Sequence, residues 1–241
     1  MKYNKTLTAV CLMFNLLTAP PIQAGSFSSL DAINQEQFRQ LSETLGAATH
    51  YRGVTPAEPL GILGLDIGLE VSATKVDQDV FELASEGDYS FSSLLIPRLH
   101  VHKGLPLKLD VGAFLSAVPG TDLTVVGAEL RYALVKGGVA MPAVALRASF
   151  SQIQGVTELD LNNTALELTM SKGFLVLTPY GGIGIVRSVS NPQDSIALEE
   201  ETVDQKKIYV GLNVNLGFNF TVEADRTGNF TSYTAKAGIR F

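Results

Sequence analysis

LDIGLEVSAT, residues 65–74, puts Leu65, Ile67, Leu69, Val71 and Ala73 on one face of an extended chain, and Asp66, Gly68, Glu70, Ser72 and Thr74 on the other. Successive Cβ atoms of a pleated chain point to opposite sides, so a period of two marks a strand with one apolar and one polar face. The alternation recurs to the last residue and predicts ten strands, at 60–74, 90–103, 105–117, 122–135, 139–152, 159–172, 175–189, 205–216, 218–226 and 232–241.

The connections alternate in length. KGL (103–105), KGG (136–138), KGF (172–174) and LGF (216–218) are short and carry glycine, whereas 75–89, 118–121 and 191–204 are longer. Tight turns at one end and longer loops at the other are the asymmetry of outer-membrane barrels, and an even strand number brings both barrel termini to the tight-turn, periplasmic side. The expected fold is all-β: a closed antiparallel up-and-down transmembrane barrel, preceded by a short amphipathic helix.

Which face meets lipid follows from the charges. Asp66, Glu70, Arg98, His100, His102, Lys108, Asp110, Glu129, Arg131, Arg147, Glu167, Asn213, Asn215, Glu223, Asp225, Lys236 and Arg240 fall on the polar face, while the apolar face is almost free of charge. Tyr132, Phe174, Phe218 and Phe241 collect on or near the apolar face at the tight-turn end, and Phe91, Phe150 and Tyr233 at the other. Two aromatic bands around an aliphatic middle match the girdles of a membrane barrel. The polar face then lines the lumen, with seven acids against six bases, a balance that favours internal ion pairs over a strongly ion-selective pore. A bilayer leaves no backbone group unpaired, so the first and last strands must join, and Asp66 and Glu70 should meet Lys236 and Arg240 across that seam.

Residues 1–24 have the basic start, apolar stretch Leu7–Leu17 and small final residue of a secretory signal, and Cys11 within it is the only cysteine. Residues 25–59 form a separate segment. Phe38, Leu41 and Leu45 make a helical stripe; Asn34 and Gln37 can form a capping box, and Ile33 can staple onto Phe38. Pro56 and Pro59 end the pattern before the barrel at 60–241. A helix this short must pack on something, either inside the barrel as a plug or across its periplasmic mouth.

Chemistry-bearing motifs are sparse. His100 and His102 share a face and would need Asp110 or Glu129 to complete a metal site, but their bland reading is as lumen residues, and neither metal nor cofactor is expected. A lipid- or peptide-modifying enzyme is the alternative function, and no histidine is well placed for it. The acidic run at 199–201 reads as a solvated loop. Gly181, Gly182 and Gly184 lack the spacing of a phosphate loop and read as close strand packing. A net charge of −6 argues against nucleic acid as a partner.

Through PAEPLGILGLDIGLEVS, PRLHVHKGLP, GAELRYAL and SKGF the chain resembles an uncharacterised family of proteobacterial outer-membrane barrels. Tyr233, Gly238, Ile239 and Phe241 are similar to the C-terminal assembly signal of such barrels. The resemblance implies the barrel assembly machinery, outer-membrane lipid and lipopolysaccharide as partners; it brings no catalytic residues. The expectation is a bacterial outer-membrane barrel serving as a narrow channel, or as a structural or surface-binding barrel with a charged lumen.

Overall fold

The structure, a computed structural model, describes residues 30, 33–76, 93–117, 123–156, 158–193 and 197–241. Ten antiparallel strands follow one another: β1 Leu65–Lys75, β2 Ser93–Gly104, β3 Leu109–Ala117, β4 Thr124–Lys136, β5 Ala143–Gln154, β6 Leu159–Ser171, β7 Leu177–Pro192, β8 Glu201–Asn215, β9 Asn219–Thr227 and β10 Phe230–Arg240. Each pairs with its neighbours in sequence, and β10 returns to β1 to close the barrel. At that seam Asp66 lies opposite Arg240 and Glu70 opposite Lys236. The ladder continues into the last residue, whose N–H donates to the Leu65 carbonyl at 3.0 Å. The strands approach so closely at Gly238 that a Cβ there would overlap the Ile67 carbonyl.

Inside and outside are inverted relative to a water-soluble barrel. Leu69, Ile183 and Val222 point outward and are 66%, 59% and 58% exposed, while the inward Asp66, Arg98 and Glu167 are at most 1% exposed. Large outward apolar side chains circle the barrel, far beyond the apolar patches that soluble monomers tolerate, and the barrel is a transmembrane one. Tyr132, Phe174, Phe218 and Phe241 are exposed at the short-turn end; Phe150 and Tyr233 stand outward toward the other. Phe91 lies outside the described residues.

Some boundaries differ from expectation for local reasons. Gly61 to Gly64 forms a turn, closed by the Gly64 N–H on the Gly61 carbonyl, so pairing starts at Leu65 rather than Leu60. Pro106 fixes a single 3₁₀ turn, in which Leu107 and Lys108 both adopt φ 63°, and β3 starts only at Leu109. Lys108 is therefore an exposed turn residue and does not line the lumen. Asn215, the last residue of β8, is exposed as well. Conversely β8 starts at Glu201, so the acidic run is split between loop and strand. The two longest connections, 76–92 and 193–200, lie at one end, although that end also holds the two-residue β9–β10 turn at 228–229. Most of the 75–89 loop falls outside the described residues.

Helix α1 (Gln35–Thr49) begins with a reciprocal capping box: Asn34 Oδ1 accepts from the Gln37 N–H at 3.0 Å, and Gln37 Oε1 accepts from the Asn34 N–H at 2.9 Å. Ile33 and Phe38 are buried in one apolar cluster beside the cap. The helix lies inside the barrel, against β6, β7 and β8 and also β1, β2, β5 and β10. Its start is at the long-loop end, where Gln35 Nε2 donates to the Glu201 carboxylate at 2.6 Å and to the Glu199 carbonyl at 3.1 Å. Residues 50–60 continue as a strap to the short-turn end. There the Ala57 N–H donates to Ser171 Oγ, and the Leu60 N–H to Asp110 Oδ1, each at 3.0 Å. The chain thus enters the lumen at the long-loop end and leaves it at the opposite mouth. Of the two positions open from the sequence, the helix takes the plug inside the barrel and not the one across the mouth.

Candidate functional site: the filled lumen

The lumen has two tiers, built from opposite sequence choices on the same strand face. Near the long loops, Phe114, Val125, Ile153, Leu159 and Leu161 point inward where polar residues would alternate, and Leu30, Phe38, Leu41 and Leu45 pack on them. These wall residues make a dry bed for one flank of α1. At Gly46 the helix backbone comes so close to β7 that an added Cβ would collide with Ser188. On the neighbouring wall Asn163 Nδ2 donates to Thr49 Oγ1 at 3.0 Å, and Ser188 Oγ to Asn163 Oδ1 at 2.7 Å.

The lower tier is a network of buried ions around the strap. Arg52 donates to Asp225 Oδ1 at 2.7 Å, to Ser232 Oγ at 2.8 Å, and to the Ala47 and Ala48 carbonyls at 2.6 and 2.9 Å. Arg98 donates to Glu70 at 2.7 Å and to the same Ala48 carbonyl at 2.8 Å. Two guanidinium groups thus cap the C-terminus of α1, where unpaired carbonyls and the helix dipole favour positive charge. Further down, Arg131 clasps Asp110 at 2.7 Å and donates to Thr55 Oγ1 and the Pro56 carbonyl. Arg147 lies 2.8 Å from both Glu129 and Glu167, and Lys207 donates to Glu167 at 2.7 Å. At the seam Lys236 donates to Asp66 Oδ1 at 3.0 Å, four residues along β1 from Glu70, the residue directly opposite. Glu223 accepts from Tyr180 Oη at 2.7 Å. Arg240 faces inward at the short-turn mouth, opposite Asp66.

The histidines belong to this packing. His50 Nδ1 donates to the Ala47 carbonyl at 2.9 Å, His100 Nε2 lies 2.6 Å from Glu70, and His102 Nε2 lies 3.0 Å from Tyr51 Oη. All three are fully buried, so none presents an accessible base to a substrate. The carboxylates named as third metal ligands are engaged by Arg131 and Arg147. Among the described residues, no group of three or more His, Cys, Asp or Glu side chains has a metal-binding arrangement.

Several residues of the site escaped sequence reasoning. Arg52 sits in the segment between the helix and the strands, where periodicity gives no facing. Lys207 shares its parity with Gln205, Tyr209 and Asn213, but adjacent Lys206 obscured which lysine points in; Lys207 is buried and Lys206 exposed. With Arg52 and Lys207 added and Lys108 removed, seven acids face seven bases. The inward tyrosines explain two glycines: a Cβ at Gly182 would overlap the Tyr209 ring, and one at Gly211 the Tyr180 ring, whereas one at Gly184 would meet the Leu166 carbonyl and Glu167. Gly182 and Gly211 let a large lumen side chain lie flat across the neighbouring strand.

No family model matches the chain, and no curated protein does. Among solved structures, it is similar to the N-terminal β-barrel domain of Pseudomonas aeruginosa OprF (12% identity, 73% of this chain and 97% of that one, TM-score 0.38). It is also similar to the KdgM porin in complex with disordered oligogalacturonate (11% identity, 73% and 99%, TM-score 0.39). A third is Ail, the attachment invasion locus protein of Yersinia pestis (12% identity, 74% and 98%, TM-score 0.29).

Proposed function

We infer that the protein is an outer-membrane β-barrel without enzymatic activity, closed by its own N-terminal segment and serving as a structural or surface-presenting barrel rather than a standing pore. One observation carries the reading. From Arg52 through Arg98, Arg147 and Glu167 to Arg131, the side chains between strap and wall are at most 1% exposed, leaving no continuous water path along them. Conduction needs such a path. Residues 1–24 act as a secretory signal, the long loops face the cell exterior, and the turns at 105–108, 137–142, 172–176 and 216–218 face the periplasm. The apolar belt and its aromatic rims support the membrane, and the loop asymmetry supports the orientation.

Planar-bilayer recording tests the closed state. The full chain is expected to be silent, and a variant lacking residues 25–59 to give discrete conductance steps; steady conductance from the full chain would overturn the reading. Heat-modifiable gel migration of both proteins, a property of intact membrane barrels, separates loss of the plug from loss of the barrel.

A further inference from the structure

The apolar belt is broken by charge on one side. Arg187, Asp204, Lys206 and Arg226 all point outward from β7, β8 and β9, near the long-loop end. Arg187 and Asp204 satisfy each other through two hydrogen bonds of 2.7 and 2.8 Å. Arg226 reaches only the Gly228 carbonyl, at 3.3 Å, and Lys206 makes no side-chain hydrogen bond or ion pair among the described residues. Among the described residues, two cations thus remain without a counter-ion on the outward face.

They head a groove. Arg226 lies opposite Ile208, Ile208 opposite Ile183, Ile183 opposite Leu168 and Leu168 opposite Leu146, a row crossing five strands. The adjacent row runs from Lys206 to Ile185 and Leu166. All of these side chains line one open outward groove. Because barrel strands are tilted, a row across them also travels along the membrane normal. Arg226 is the last residue but one of β9 at the long-loop end, whereas Leu146 is three residues into β5 from the short-turn end. The groove therefore has a cationic head and an aliphatic tail sloping into the bilayer. Arg187, outward and paired with Asp204, lies two residues beyond Ile185 toward the long-loop end of β7.

We propose that this groove is a binding site for one lipopolysaccharide molecule, the phosphates of its acylated glucosamine disaccharide on Lys206 and Arg226 and an acyl chain along Ile208, Ile183 and Leu168. Guanidinium and ammonium groups are the usual partners of phosphate oxygens at a membrane surface. The choice of lipid rests on the orientation given under Proposed function, which puts the long-loop end in the outer leaflet, where that glycolipid resides.

The test titrates refolded full-length protein with bisphosphorylated lipid A, with its dephosphorylated form and with phosphatidylglycerol, reading retained lipid by native mass spectrometry. The wild type should retain the bisphosphorylated form preferentially, and Lys206→Ala/Arg226→Ala should weaken that retention about tenfold or more. Lys75→Ala, which removes an outward cation at the same end of β1, should leave it unchanged. Equal retention of phosphatidylglycerol, an unaffected double variant, or an equal loss from Lys75→Ala would each overturn the site. Orientation is read separately, by labelling Glu200→Cys on intact cells with a membrane-impermeant reagent. Unlabelled cells together with intact lipid retention would reject the orientation and the choice of lipopolysaccharide, but not the groove.

Discussion

Replacing Arg52 by Met tests how the plug is held. The substitution keeps much of the apolar stem and removes four hydrogen bonds: those to Asp225, Ser232, Ala47 and Ala48. Ala48 keeps Arg98, and among the described residues Asp225 keeps only the Thr227 hydroxyl at 3.0 Å. What remains is a buried carboxylate that has lost its counter-ion, and breaking a buried pair from one side costs about 3–5 kcal/mol. If that cost falls on seating of the plug, its seating equilibrium weakens by roughly two to three and a half orders of magnitude, at about 1.4 kcal/mol per factor of ten. The assay is bilayer recording combined with limited proteolysis from the long-loop side. Arg52→Met should give intermittent openings and cleavage within residues 35–49, with heat-modifiable migration retained. Removing the stranded charge as well, in Arg52→Met/Asp225→Leu, should restore much of the protection, because replacing both members of a buried pair by apolar groups is often near neutral. An Arg52→Met protein as silent and protease-resistant as the wild type would refute the claim that this ion pair anchors the plug.

Three further outcomes follow from the same geometry. Gly46→Leu should loosen α1, since even a Cβ on Gly46 would stand 2.9 Å from that of Ser188; a variant whose helix is as protease-resistant as the wild type would contradict this close approach to β7. Gly53→Ala drives a methyl group into the Arg147 guanidinium and should cost about 1–3 kcal/mol, read as a lower urea midpoint for proteolytic release of the plug. Lys236→Met strands Asp66 at the closing seam and should lower the stability of the whole barrel by about 3–5 kcal/mol; a seam variant that alters only plug protection would contradict this assignment.

Much of the barrel was legible because period-two alternation is a geometric property of strands, and a two-faced environment enforces it on every one. Asp66, Glu70 and Lys236 could be placed on the lumen face by parity alone, and their meeting at the seam followed from closure. Lys108 could not, since parity has no meaning in a turn, and Pro106 had already ended the strand. The direction of the plug was equally hidden. A capping box fixes where a helix begins, not which mouth it faces. One signal for its seat was nevertheless present: Phe114, Val125, Ile153, Leu159 and Leu161 break the polar parity on four consecutive strands, β3 to β6, at the same end. Apolar residues clustered on a lumen face need an apolar partner, and the stripe of Phe38, Leu41 and Leu45 is the one the chain supplies.

The strap between α1 and β1 also constrains the order of assembly. Strand β1 is covalently tied to the plug and is one of the two strands that meet when the ring shuts. Once Lys236 and Asp66 are joined, the interior has no spare width, because Gly46 already touches the wall and Gly53 lies against a guanidinium. Closing the hoop and drying its interior are therefore coupled, since Asp66 and Lys236 meet only when β1 joins β10, and Asp225 finds its arginine only when the strap is seated. Substitutions at the seam and in the strap should then impair the same step of biogenesis, although they lie on different elements of the finished protein.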